Sequence, residues 1–156
     1  MPGETRSWFC DTCGSLIKCP DHGWVEWIDL PTAPGKPLAG RDIRIVHAYG
    51  YGPNRTCQFN SNHEIAKDQG TIGDACLNEF RGPTGLTRLL AMVAEREIPK
   101  NEMCEIIQRI HIPGYEYARK HFERAIKKGV LEGRGPYGYF TQEELDQVLV
   151  MVSNEQ

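Results

Sequence analysis

The sequence predicts an α+β protein with two textures. Residues 1–60 read as a small β module, residues 83–156 as a helical domain, and residues 61–82 as an irregular linker between them. Three observations carry this expectation. The runs GWVEWIDL (23–30) and RDIRIVHAY (41–49) are rich in aromatic and β-branched residues, which suit a pleated, half-buried surface. In the second run Ile43, Ile45 and His47 alternate with Arg44, Val46 and Ala48, the two-residue period of a strand. From residue 83 onward the apolar residues recur instead at three and four positions, the period of a helix face.

The elements follow in order. PTAPGKPLAG, with three prolines and two glycines in ten residues, reads as the loop joining the two strands. GYGPNRT and NSNHEIAKDQGTIGD read as loops with at most a short turn of helix. In PTGLTRLLAMVAERE, Leu86, Leu89, Leu90 and Val93 line one helical face after a Pro-Thr start. KNEMCEIIQRI reads as a second helix, with Asn101 as its N-cap and Met103, Ile106, Ile107 and Ile110 as its apolar stripe. Pro113-Gly114 ends it. YEYARKHFERAIKKG reads as a third, unbroken helix, with Ala118, Phe122, Ala125 and Ile126 facing inward and Gly129 near its end. A capping box, Thr141 to Glu144, opens the last helix, which buries Leu145, Val148, Leu149 and Val152.

Composition bounds the function class. Forty per cent hydrophobic and 25% charged residues in 156 is a globular composition. No apolar run approaches the roughly 18 residues that cross a membrane, and MPGETRSWFC lacks the basic-then-apolar pattern of a secretory signal. The expected setting is therefore cytoplasmic, without membrane contact, and there six cysteines are more naturally thiols or metal ligands than disulfides. A net charge of −3 supplies no overall attraction to nucleic acid. Residues 114–136 nevertheless carry six basic side chains against three acidic, while the last twenty residues hold four acids and no base.

The stretch CDTCGSLIKCPDHG carries the densest chemistry. Cys10-x-x-Cys13 followed by Gly14 suits a tight turn that aims two thiolates at one ion, and Cys19-Pro-Asp-His22 has the look of a second such turn. Cys10, Cys13, Cys19 and His22 fall within thirteen residues, so closing a site from them costs little loop entropy. This local set is the first choice. Only five residues separate Cys13 from Cys19, however, and a competing set pairs Cys10 and Cys13 with His47 and Cys57, with His63 as a further candidate. A redox role is the weaker reading, because no βαβ pattern surrounds the pair and Gly14 and Pro20 crowd it. Cys76 and Cys104 sit in no ligand spacing. The Cys10–Cys13 half resembles the opening knuckle of zinc-ribbon proteins, a resemblance of about fourteen residues that implies a structural zinc.

The segment NEMCEIIQRIHIPGYEYARKHFERAIKKGVLEGRGPYGYFT resembles a winged helix-turn-helix over residues 84–142. That resemblance implies a recognition-type third helix placed in a major groove. Lys120, Arg124 and Lys127 would share its exposed stripe, and Arg134 would sit on the wing. The stripe also has an ordinary reading: Glu116 lies four residues before Lys120, and Glu123 four before Lys127, both favourable helical pairs.

No Ser-His-Asp order, nucleophile elbow or phosphate-cradling glycine loop accompanies the five histidines, so no catalytic residue is assigned. His111 and His121 suit a helix-end cap and a packing residue. Trp8, Trp24 and Trp27 suit a small core. The expectation is a metal-stabilised β module followed by a winged-helix-like domain, acting as a non-enzymatic nucleic-acid-binding or regulatory protein with a structural zinc and duplex DNA as partner. The runner-up is a protein-interaction adaptor of the same architecture. A metalloenzyme with an open coordination position is the third reading.

Overall fold

The computed structural model describes residues 5–53, 56–133 and 139–156. The chain opens with a minimal hairpin of β1 (Trp8–Phe9) and β2 (Leu16–Ile17), closed by the Cys10–Ser15 turn. A 3-10 turn, Pro20–His22, leads directly into β3 (Gly23–Leu30), and the proline-rich loop then feeds β4 (Leu38–His47). Both are the strands that the alternation and β-rich composition predict, β4 starting three residues earlier.

Residues 61–82 are more regular than their composition suggests. They contain α1 (Ser61–Asp68), capped by the Asn60 side chain, and β5 (Thr71–Cys76). β5 runs antiparallel along β3, which pairs on its other side with β4, so β3 is the central strand. The order is β5-β3-β4-β6, where β6 (Arg96–Glu97) adds a short parallel pairing at Leu38–Ala39. TIGDAC hides as a strand because its apolar alternation is weak: its pairing comes from β3, not from a face of its own.

Burial on both faces makes β3 a near-continuous core strand, with Val25, Glu26, Trp27 and Ile28 all buried. One face packs under α2 (Gly82–Glu95) and α3 (Lys100–His111). There Trp8, Val25, Trp27, Ile43, Ile45, Leu89, Met92, Met103, Ile106 and Ile110 form one cluster. This core continues past residue 83 and joins the β-rich and helical textures. On the other face Glu26 meets Arg44, and Arg41 reaches Glu64 and Asp68 of α1.

The α2 stripe is rotated from expectation, whereas the α3 stripe of Met103, Ile106 and Ile110 is buried as expected, with Ile107 packed against the core. α2 buries Gly85, Leu89 and Met92 and leaves Leu90 and Val93 exposed. Gly85 sits against the Phe80 backbone, where a Cβ would come within 2.0 Å of a carbonyl carbon; that approach sets the face, and Leu90 points away from it. α3 begins at Lys100 with Pro99 in the cap position, not Asn101, and buries Arg109 within its apolar stripe.

The expected unbroken third helix is interrupted. It divides into α4 (Tyr115–Ala118), a 3-10 turn (Arg119–His121) and α5 (Phe122–Lys127), because His121 leaves the helical region at φ −121° and ψ 4°. Phe122 is only half-buried and Ile126 is exposed, while Ala118 and Ala125 do face inward. α6 (Gln142–Ser153) opens with the predicted capping box, both of its hydrogen bonds present. Tyr115, Ala118, Ala125, Leu131, Leu145 and Val148 form a second, smaller core. The wing falls largely on residues 134–138, which lie outside the described residues, Arg134 among them. Among the described residues no strand follows α5. No helix among them is long and apolar enough to cross a membrane.

Candidate metal centre

The Cys10–Ser15 turn is a tight one. Gly14 adopts φ +73°, a conformation that L side chains rarely take. Its N–H donates to Cys10 O at 2.9 Å, and Cys10 N–H donates to Ser15 O at 2.9 Å. The two cysteines of the turn therefore project toward one point beside the end of β4.

At that point the structure gathers Cys10, Cys13, His47 and Cys57, whose donor atoms all lie within 4.8 Å of one another. Cys10, His47 and Cys57 are buried and Cys13 is half-buried. The His47 Nδ1 atom is 3.5 Å from the Cys13 Sγ and 3.8 Å from the Cys57 Sγ. A tetrahedron with zinc–sulfur bonds of about 2.3 Å and zinc–nitrogen bonds of about 2.0–2.1 Å has edges of about 3.5–3.8 Å. The donors fit such an ion in number and kind, and the two His47–sulfur distances match its edges.

The residues between and around the ligands bring the non-local pair into place. Asp11 N–H donates to Ile45 O at 2.8 Å, and its carboxylate accepts from Ile45 N–H at 2.7 Å. These bonds lay the turn along the edge of β4, two residues before His47. Thr12 Oγ1 donates to Cys57 O at 2.5 Å, and Arg44 donates to the same carbonyl. Gln58 donates from its side-chain amide to His47 O. Gly52 completes the pocket: a Cβ there would stand 2.7 Å from the Cys57 Sγ and 3.2 Å from the His47 Cβ.

The thiols respond to this crowding in opposite directions. Burial, together with the neighbouring Cys10 and Cys13 thiols, pushes Cys57 up to about 12. Burial also acts to raise Cys13, but hydrogen bonds from Ser15 and from the Cys10 and Cys57 thiols outweigh it and hold Cys13 below its ordinary value. Several thiolates this close repel one another, and a divalent cation is the group that relieves the repulsion.

Cys19 and His22 lie outside this group. Cys19 precedes the 3-10 turn, and the His22 ring stacks on Tyr51 with centroids 4.1 Å apart and planes 15° apart. The turn runs straight into β3, and neither residue joins the cluster at Cys10 and Cys13. His63 is exposed on α1. The competing long-range set is thus the one that the fold assembles. Sequence spacing favours the local four because it counts only loop entropy. Strand pairing, which sets Gly23 opposite His47, closes the long loop independently of any ion. Asp11, Thr12 and Gly52 were not singled out by spacing. The weak signal available was a Gly-rich loop just before Cys57.

The basic stripe is largely compensated. Lys120 Nζ lies 4.3 Å above the Phe9 ring, Arg124 pairs with Glu155 at 3.1 Å, and Lys127 pairs with Glu123 at 2.6 Å. Glu116 does not pair with Lys120. It is fully buried and binds Arg109 at 2.7 Å and Arg119 at 2.9 Å. His111 Nε2 donates to Phe80 O, 2.8 Å away, as a helix-end contact. In comparisons with known proteins, no family model matches the chain and no solved structure matches it.

Proposed function

We propose that the chain is a non-enzymatic binding or regulatory protein in which Cys10, Cys13, His47 and Cys57 hold a structural zinc ion. The observation that carries this reading is the convergence of three thiols and one imidazole nitrogen within 4.8 Å of one another, with His47 Nδ1 3.5 and 3.8 Å from two of the sulfurs. Soft sulfur donors favour zinc among the abundant divalent ions. Four protein ligands close the shell, whereas a catalytic zinc keeps a position open for water or substrate. Bound zinc would fasten the β1–β2 hairpin, the end of β4 and the Cys57 segment to one another. The test is the metal content of the purified protein by mass spectrometry. One zinc per chain, lost in Cys13→Ser and in His47→Ala, supports the centre. A metal-free protein that folds and melts alike with zinc and with chelator removes it.

For the partner, the surface favours protein over nucleic acid. Exposed Val93 lines a largely apolar groove of about 640 Å³ together with Pro37, Ile98, Pro99 and Met103, with Arg96, Glu97 and Lys100 on its lining, and Leu38 and Leu90 are exposed as well. Lys120, Arg124 and Lys127, by contrast, already have acidic or aromatic neighbours. Nucleic-acid contact predicts duplex affinity that falls steeply with salt, since each phosphate contact releases counterions. The expected result is no salt-sensitive binding to duplex DNA by the zinc-loaded protein. Binding at low salt that disappears in the Lys120/Arg124/Lys127 triple alanine variant restores the nucleic-acid reading.

A further inference from the structure

Asp11 stands between two of the metal-site cysteines, and its carboxylate does more than hold β4. Its two oxygens accept from Arg109 Nη1 of α3 at 3.0 and 2.7 Å. The Arg109 side chain is 3% exposed. Its remaining donors go to Phe9 O at 2.9 Å, the residue before Cys10, and to both oxygens of Glu116 in α4, at 2.7 and 3.0 Å. Glu116 in turn accepts from Phe9 N–H at 2.8 Å and from Arg119 Nε at 2.9 Å. Trp8 Nε1 donates to Arg109 O at 3.2 Å. The peptide leading into the Cys10–Cys13 turn is thus held on both its N–H and C=O sides by one buried ion pair from the α3–α4 corner.

We propose that Arg109 and Glu116 are positioning residues for the metal centre, so that metal binding and the seating of the α3–α4 corner are coupled. This rests on the zinc reading above. The physical reason is the cost of stranding a buried charge. When the turn opens, Asp11 leaves Arg109 and Phe9 leaves Glu116, and the Arg109 and Glu116 side chains, 3% and 0% exposed, lose those partners. Opening of the turn is therefore paid for at α3–α4, and disturbance of α3–α4 frees the turn. Such a coupling is reciprocal: whatever the corner adds to zinc affinity, zinc adds to the corner. Neither Arg109 nor Glu116 is a ligand, and Glu116 lies 106 residues beyond Cys10 (116 minus 10). Second-layer partners of metal ligands typically carry about 10–100-fold in affinity.

The experiment has two arms on the full chain. The first titrates zinc against a chromophoric chelator for wild type, Cys13→Ser and Glu116→Gln. The second follows amide hydrogen exchange of the wild type with zinc and with chelator. Zinc affinity in Glu116→Gln about 10-fold or more below wild type, with exchange over 105–119 slowed by zinc, is the expected result. Affinity in Glu116→Gln within about twofold of wild type, or zinc-dependent protection confined to 8–15 and 45–58, overturns the coupling and leaves the centre standing. Wild type that binds zinc no better than Cys13→Ser overturns both. If Glu116→Gln does not fold, the wild-type exchange arm alone decides.

Discussion

The two cores are stabilised in different ways. The first, between the sheet and α2–α3, gathers three kinds of group at once: large apolar side chains, four metal-ligand candidates of which three are buried, and the paired charges of Arg109 and Glu116 at its edge. The second, under α4–α6, is small and wholly apolar, and its helix start is secured by a capping box. A mixed sheet assembled from distant strands has to specify register, and directional interactions such as bidentate ion pairs help to supply that, as a bound metal ion would. Helices whose hydrogen bonds are internal need only an apolar stripe and a cap. The first region should therefore respond to chemistry and the second to packing.

Metal removal should break the comparison most sharply. Chelation, or Cys57→Ser, is expected to cost on the order of 4 kcal/mol or more, which lowers Tm by roughly 8–16 °C for a chain of this size. All three tryptophans lie in the first region. Their near-UV circular dichroism should collapse while the far-UV helical signal of α6 persists. Equal loss of both signals would show one cooperative unit instead of two responses.

Next comes Arg109→Met, which leaves Glu116 buried without its main partner and should cost about 3–5 kcal/mol. The Arg109→Met/Glu116→Leu double variant should recover much of that in a denaturant titration, since an apolar pair strands no charge. A double variant as unstable as the single one would mean that the Phe9 and Asp11 hydrogen bonds carry the energy.

A pH series sharpens the contrast within the buried acids. Burial works to raise Glu116, but its hydrogen bonds to Arg109 and Arg119 and their charges outweigh burial and hold it below its ordinary range. A depressed carboxyl adds stability that is complete above the unfolded value and is lost as pH falls through the folded one. The stability gap between wild type and Glu116→Gln should accordingly narrow on acidification below about pH 4.5. Glu26 is shifted the other way: burial outweighs Arg44 and raises it. Glu26→Gln should consequently gain on wild type as pH rises through the raised value. Parallel pH profiles for the two variants would refute the distinction.

The smallest effect belongs to the second region. Thr141→Ala removes the side-chain acceptor for Glu144 N–H and should cost about 1 kcal/mol, visible as faster amide exchange at the start of α6 with zinc affinity unchanged.

Much of this architecture is legible along the chain. GWVEWIDL and RDIRIVHAY are strands because their composition and alternation suit a pleated surface, and TQEE caps a helix because its bonds are local. Pro113-Gly114 ends α3, with Gly114 at φ +77°. The candidate site was half legible. Cys10 and Cys13 share a turn whose geometry is written in four consecutive residues, whereas the partners of that turn are chosen by pairing across the sheet. Cys19 and His22 are near in sequence but leave with β3; His47 and Cys57 are distant and return with β4.

Local matters are legible along the chain: turns, caps, the period of most helices and strands, and a thiol pair aimed at one point. Each depends on contacts within a few residues. Packing across the molecule chose which candidate ligands join that pair, made TIGDAC a strand, set the face that α2 buries, and turned Glu116 inward to Arg109 instead of outward to Lys120. Those outcomes depend on burial and on partners the fold brings together, Cys13 and His47 among them, 34 residues apart, and burial is a property that no stretch of chain possesses before the rest has packed against it.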